Sequence, residues 1–317
     1  MWEVLGLFAL GLLLVTLGAD SLVKGASGLA QRRGAGAAAA GLALVAVGAS
    51  VPELAISLAA ILQGHYALAL GNVIGSCIAN FGLIVAIAAL VKPLAVGFRL
   101  VSLGLPLLLI AAVGVLGMSH NGTLGYYDGG VLLLGVIAFG WAVRRSAASE
   151  AEPVRKELAY AGNTQTDVPR NVLRLAAGLG MLGYGAWLAS ARAFELAGLW
   201  QMSELWAGLT LLAVGSAIPE LAAAIVAASR GHGNVVVGSA VSSSLVNLLL
   251  VLGLLAVWHP LPMASSLVWV EIPALIAFTL AFYPMIRGDA LVSRREGAIL
   301  LVAFLAWMGF QFYAGHA

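Results

Sequence analysis

Two glutamates stand in apolar surroundings that offer them no obvious partner. Glu53 belongs to Gly48–Leu54, "GASVPEL", and Glu220 to Gly215–Leu221, "GSAIPEL", each directly after a proline. Twenty-three residues beyond each glutamate comes a serine, Ser76 or Ser243, and four residues later an asparagine, Asn80 or Asn247, which puts both polar groups on one helical face. Ser50 and Ser216 lie beside the glutamates. Pro52 and Pro219 are predicted to break their helices, since proline lacks the amide proton and clashes with the carbonyl four residues back, freeing the oxygens of Gly48 and Gly215. Carboxylates, amide oxygens, hydroxyls and loosened carbonyls are the donor set of a hard cation. Ca2+ takes about six to eight such oxygens, and two glutamates would balance its charge. A softer metal would want His or Cys. His65, His120, His232, His259 and His316 all fall in loops or at the chain end, and Cys77, the single cysteine, allows neither an intrachain disulfide nor a cysteine-cluster metal site.

The elements that must position these groups are membrane helices. Of 317 residues, 62% are hydrophobic and 9% charged, with mean hydropathy +1.01, more apolar surface than a water-soluble domain can bury. The apolar runs reach the roughly 20 residues that a spanning helix needs and lack the alternation of a barrel strand. The fold class is therefore an all-α polytopic membrane protein. Ten spans are predicted near 3–21, 35–62, 67–91, 99–118, 126–143, 171–190, 203–228, 233–257, 265–286 and 296–314. The run Leu5 to Gly18 is read as a retained first span, because Glu3 stands where a signal peptide has positive charge and no convincing cleavage site follows. Residues 144–170 form a polar stretch read as a mobile connector between an N-terminal half, 1–143, and a C-terminal half, 171–317. With the N-terminus outside, fifteen of the sixteen Lys and Arg residues fall on the cytoplasmic side, leaving Arg192 opposite. Both termini are then expected outside, and the connector in the cytoplasm.

A shift of 167 residues superposes the halves: 41–89 laid on 208–256 gives 18 identities in 49 ungapped positions, including Pro52, Glu53, His65, Ser76 and Asn80, types that low complexity does not match by chance. Five spans per half is an odd number, so the repeats are inverted, an arrangement by which secondary transporters build a midplane site from interrupted helices. A carboxylate at that depth is costly unless paired, hydrated or protonated, and no Lys or Arg lies at the depth of Glu53 and Glu220. Taken alone, glycine and alanine runs read as packing surfaces, a proline as a structural kink, and each serine as a possible back-bond to its own helix. His65 and His232 coincide under the repeat and read as interfacial, with proton sensing as the functional alternative. Glu271 has no acidic counterpart and suits either the pathway mouth or a local hydrogen bond. Asp20 is expected to face water or Lys24. An intramembrane hydrolase would need a His ligand or a second acid at the depth of its general base, and a channel pore is disfavoured by the inverted repeat. No catalytic residue, ATPase motif or nucleic-acid partner is indicated.

At these residues the chain resembles the cation/calcium exchanger superfamily, most closely its prokaryotic sodium/calcium exchanger-like members. The resemblance spans essentially the full length and rests on "GASVPE" with "GNVIGSCIAN", repeated as "GSAIPE" with "GSAVSSSLVN". It implies a cell-membrane antiporter working by alternating access, without cofactor or obligatory protein partner, whose transported ions are Ca2+ and Na+, with H+ as an alternative. Glu53 and Glu220 would hold Ca2+, Asn80 and Asn247 would flank it, and the hydroxyl positions Ser50, Ser76, Ser216 and Ser243 would help to form Na+ sites, while the first and sixth spans slide over the rest. The chain departs from the family pattern at Ala49 and Ala217, where a hydroxyl is usual, at Asn247, often aspartate, and at Ser242, usually glycine. Two carboxylates remain, enough for one Ca2+.

Overall fold

The computed structural model describes residues 1–97, 99–149, 152–162, 164, 166–287 and 290–314. His316 lies outside the described residues. Among the described residues nine helices are long and apolar enough to cross a membrane, and the shorter apolar helix Tyr126–Trp141 supplies a tenth span. In chain order they are α1 (Trp2–Arg32); α2 (Ala37–Val47) and α3 (Val51–Leu62), one interrupted span; α4 (Tyr66–Ala79) and α5 (Ala86–Val91), another; α6 (Arg99–Met118); α7 (Tyr126–Ser149); the connector helix α8 (Glu152–Gly162); α9 (Val168–Leu199); α10 (Glu204–Ala207) with α11 (Ala213–Ser229); α12 (Gly233–Val246) with α13 (Leu252–Trp258); α14 (Ile272–Arg287); and α15 (Arg294–Ala314). The only strands among the described residues are two-residue pairings: β1 (Leu94–Ala95) with β4 (Leu291–Val292), and β2 (Thr123–Leu124) with β3 (Leu261–Pro262). The shift of 167 carries β1 onto β3, so the inverted repeat exchanges the two pairings.

Helices α1 and α9 run 31 and 32 residues, well beyond the spans 3–21 and 171–190 expected from hydropathy. Their polar ends stay helical because charges pair along the helix, Lys24 with Asp20 and Arg192 with Glu195. The two helices lie antiparallel, joined along glycines spaced by sevens. A Cβ added at Gly18 would lie 2.5 Å from the Leu182 amide nitrogen, at Gly185 2.7 Å from that of Val15, and at Gly11 2.7 Å from that of Ala189. Backbone meets backbone there, which only small residues permit. The third and eighth spans, by contrast, are buried almost throughout and form the centre of the molecule.

The connector is more structured than expected. Within it α8 buries Val154 and Leu158, and Gly41 on α2 meets the carbonyl of Leu158 while Gly162 meets that of Ala37. Gln31 donates to the Gly162 carbonyl at 2.6 Å and Asn234 to Glu157 at 3.0 Å. An apolar pair one helical turn apart on a polar segment makes an amphipathic helix, and this one docks on α2 and α12.

Candidate functional site

Local irregularity in the helices positions the polar groups. In the first half the expected break occurs: α2 ends at Val47, Gly48–Ser50 form a 3-10 turn, and α3 restarts with Pro52 in its first turn, where a missing amide proton costs nothing. The Gly48 carbonyl is not released, however, because the tighter turn gives it the Val51 amide as donor. In the second half Pro219 does not break its helix. It sits inside continuous α11, and the loosening lies two to three turns earlier, in the π-helical turn Gly208–Leu212. In a membrane a lost helical bond of this kind can be tolerated when neighbouring groups or local adjustments compensate. Both asparagines open π-helical stretches, Asn80–Val85 and Asn247–Val251. Gly64 and Gly231, at φ of 86° and 85°, end the helices that carry the glutamates in the left-handed conformation that glycine adopts without strain.

The eight side-chain positions singled out in the sequence converge between the halves. Ser50 donates to Ser243 Oγ at 3.0 Å and lies 3.1 Å from its carbonyl. Ser216 lies 3.4 Å from Glu53 Oε1, and Asn80 donates to Ser244 Oγ at 3.1 Å. Glu53 is 2% exposed, and Glu220 lines a cavity. Several buried polar atoms lack a hydrogen-bond partner: Glu53 Oε2, Glu220 Oε1, Ser76 Oγ and both amide atoms of Asn247. The repeat relates the last three to hydrogen bonds made in the other half. Under the repeat, Ser50–Ser243 becomes Ala217–Ser76, Ser216–Glu53 becomes Ala49–Glu220, and Asn80–Ser244 becomes Asn247–Cys77. Each hydrogen bond of one half therefore has a mate whose partner has lost its hydroxyl, and the atom left over is a buried oxygen or amide. Unsatisfied groups of this kind cost free energy unless something binds them.

A cavity of about 280 Å³ leads to this cluster. Asn80, Ser216 and Glu220 stand at its inner end, and Asp20, Val23, Ala227 and Val235 nearer the connector side of the bundle. Its second-half wall includes Ala223, Ala224, Ala227, Val235, Val236, Ser239 and Ala240. The repeat mates of these residues, Ile56, Ser57, Ala60, Leu68, Ala69, Asn72 and Val73, are all fully buried. On that opposite side Gln63 donates to Ser190 Oγ at 2.7 Å and to the Trp187 carbonyl at 3.1 Å, and His65 stacks on Phe194 at 3.8 Å between centroids. The site is thus open on one side and sealed on the other.

Three residues near the cluster escaped the sequence reading. Asn72 donates to Ser57 at 2.9 Å and lies 3.4 Å from the Glu53 carbonyl, its own oxygen left buried and unpartnered. Ser244 receives Asn80, and Ser239 lines the cavity. Asn72 and Ser239 lie one helical turn before Ser76 and Ser243, so extending each stripe by four residues would have found them. Of the residues left with two readings, Asp20 is paired with Lys24 at 2.8 Å and also lines the cavity. Glu271 is held locally, accepting from Trp307 at 3.1 Å and from Gln311, away from the cavity. No group of three His, Cys, Asp or Glu converges among the described residues. Any cation held at the cluster would draw on neutral oxygens besides the two carboxylates.

Comparison with known proteins points the same way. The family model described as sodium/calcium exchanger protein matches residues 3–143 and 171–313, both halves without the connector. The inner membrane protein YrbG of Escherichia coli K12 is 32% identical over 316 residues, covering 97% of this chain and 96% of that protein. The sodium/calcium exchanger MaX1 of Methanosarcina acetivorans is 29% identical, covering 96% and 97%. A solved structure of the sodium-calcium exchanger NCX_Mj, soaked with 2.5 mM Na+ and 1 mM Sr2+, superposes with a TM-score of 0.67 at 26% identity over 96% of this chain and 97% of that one.

Proposed function

This chain belongs to the sodium/calcium exchanger family, and from that premise we propose that it is a secondary antiporter exchanging Ca2+, or a closely related divalent cation, for Na+ by alternating access. The observation that carries this reading is the one-sided cavity. It ends at Glu220 and Asn80, while the residues related to its wall by the inverted repeat are fully buried. Exchanging the conformations of the two halves would close the connector side and open the other, carrying a bound ion across.

In this reading Glu53 and Glu220 neutralise the divalent ion, Asn80 and Asn247 flank it, and Ser50, Ser76, Ser216 and Ser243 supply further oxygens, with Gly48, Gly215, Pro52 and Pro219 shaping the backbone around it. The unpartnered oxygens of Glu53, Glu220, Ser76 and Asn247 are the atoms that a desolvated cation would satisfy. Na+ occupies the same oxygens in the opposite half-cycle. The excess of Lys and Arg on the connector side supports a cytoplasmic connector in a cell membrane with both termini outside.

Ala49 and Ala217 favour a second reading of the coupling ion. With two hydroxyls missing, Na+ has fewer ligands, and Glu53 and Glu220 could carry protons on the return step. Proteoliposomes loaded with purified protein separate the two. Ca2+ uptake driven by an outward Na+ gradient is the expected result, uptake driven only by an outward proton gradient would select the second reading, and uptake under neither would reject both.

Two substitutions refine the site. Asn80→Ala is expected to raise the apparent KM for Ca2+ about tenfold, the order of one hydrogen bond or ligand to a charged group; an unchanged KM would remove Asn80 from the site. Ala49→Thr combined with Ala217→Ser should increase the Na+ dependence of uptake, because Ala217→Ser restores a partner to Ser76 and Ala49→Thr brings a hydroxyl to Glu220. The readout is Ca2+ flux against internal Na+ concentration, and a curve superposing on the wild type would contradict the assignment.

A further inference from the structure

We infer that Asp20 recruits cations to the mouth of the cavity and favours divalent over monovalent ions there, with Lys24 as the tethered cation that an arriving ion displaces. The inference deepens the antiport reading and rests on it for the identity of the ion. Much of the cavity wall is apolar, Val45, Ala223, Ala227 and Val236 included, and gives a cation that sheds water nothing to bind. Oxygens are spaced along it instead. Asp20 stands nearer the connector side, Thr16 and Ser239 lie one turn further in on α1 and α12 than Asp20 and Val235, and Asn80, Ser216 and Glu220 close the inner end. Thr16 donates its hydroxyl proton to the Leu12 carbonyl at 2.8 Å, which leaves its lone pairs for a cation. Four residues apart, Thr16 and Asp20 share one face of α1.

Charge at the mouth decides how many ions reach these oxygens. The connector side carries the excess of Lys and Arg, a surface that repels cations. Among the described residues lining the cavity, Asp20 and Glu220 are the only carboxylates, and Asp20 is the one near the mouth. Its partner Lys24, at 2.8 Å, is not among the lining residues, so the carboxylate rather than the ammonium faces the path. The two side chains are 56% and 51% exposed, and a solvated pair of this kind is worth little and opens readily. An electrostatic potential acts on an ion in proportion to its charge, so the enrichment of Ca2+ beside Asp20 is the square of that of Na+. The preference for a divalent ion therefore begins before the paired glutamates are reached.

The potential can be read without any transport. In a Cys77→Ser background, Ser239→Cys places a thiol in the cavity. Cationic and anionic methanethiosulfonates of similar size, applied from the connector side, label it at rates whose ratio reports the local potential. Asp20→Asn is expected to lower the cation-to-anion ratio about three- to tenfold at low ionic strength and far less in high salt. Lys24→Gln should raise it, and Asp20→Glu should leave it close to the parent value. The two reagents differ by two charges, the charge of Ca2+. Tracer uptake into vesicles of each sidedness should therefore show the KM for Ca2+ on the connector side raised by the same factor in Asp20→Asn, with the KM on the other side unchanged. A ratio unmoved by Asp20→Asn, a shift that survives high salt, or a KM raised equally on both sides would overturn the inference. A ratio that answers as expected in a chain that moves no Ca2+ would reject the antiport reading and keep Asp20 as the residue that draws cations in.

Discussion

Glu53→Gln and Glu220→Gln are each expected to lower Ca2+ uptake at least about 100-fold while leaving the protein folded. Glutamine keeps the shape and the hydrogen-bonding oxygen of glutamate but removes its charge. One carboxylate then faces a divalent ion among buried groups within the membrane, and an uncompensated charge in such a place costs about 3–5 kcal/mol, or two to three powers of ten in binding. The two variants should not be identical in their stability. Glu53 is sealed and contacts Ser216, whereas Glu220 borders the cavity, so Glu220→Gln disturbs less of the resting structure. Tracer uptake and thermal melting of the purified variants separate loss of function from loss of fold. Uptake within tenfold of the wild type in either variant would remove that glutamate from the ion site.

The second large effect is expected at the seam between α1 and α9. Gly18→Val would place carbon 2.5 Å from the Leu182 nitrogen and 2.9 Å from the Gly178 carbonyl oxygen, and Gly185→Val would do the same against α1. Both obstacles are backbone, so no side chain can turn aside and the helices must part. Overpacking of this kind commonly costs about 1–3 kcal/mol, and in the proposed cycle it also separates the two helices that slide over the rest. Uptake should be abolished and the melting temperature in detergent lowered by several degrees. Gly6→Val is the control, since nothing lies within 4 Å of the added carbon and the position faces outward. Equal behaviour of Gly6→Val and Gly18→Val would show that the seam is not required.

Much of this architecture is legible in the residues because burial in a membrane leaves few alternatives. Ten apolar runs give ten spans, an odd number per half inverts the repeat, and a duplicated "PEL" with serine and asparagine at fixed spacing marks where the halves meet. What escaped depends on contacts between elements. The glycines at 11, 18 and 25, with 178 and 185, are spaced for a close helix pair, yet nothing local says which helix accepts them. Likewise the two prolines have the same sequence context but different consequences, a 3-10 turn at Gly48–Ser50 against a continuous α11, because the π-helical turn at Gly208–Leu212 relocates the irregularity. The connector helix was hidden by its polarity, since Val154 and Leu158 become a packing face only once α2 offers Gly41. The paired losses at Ala49 and Ala217 were visible as departures from a family pattern. That each leaves a particular buried oxygen without a partner, Glu220 Oε1 and Ser76 Oγ, emerges only when the repeat is laid on the three-dimensional contacts.

The central claim is that one site between the halves is occupied in turn by a divalent ion and by its counter-ion. Equilibrium binding of radiolabelled Ca2+ to the purified protein, titrated with Na+ and repeated on the Glu53→Gln, Glu220→Gln double variant, addresses it most directly. The expected result is one Ca2+ per chain, displaced by Na+ and absent from the double variant. Ca2+ bound as tightly after both glutamates are changed would contradict it.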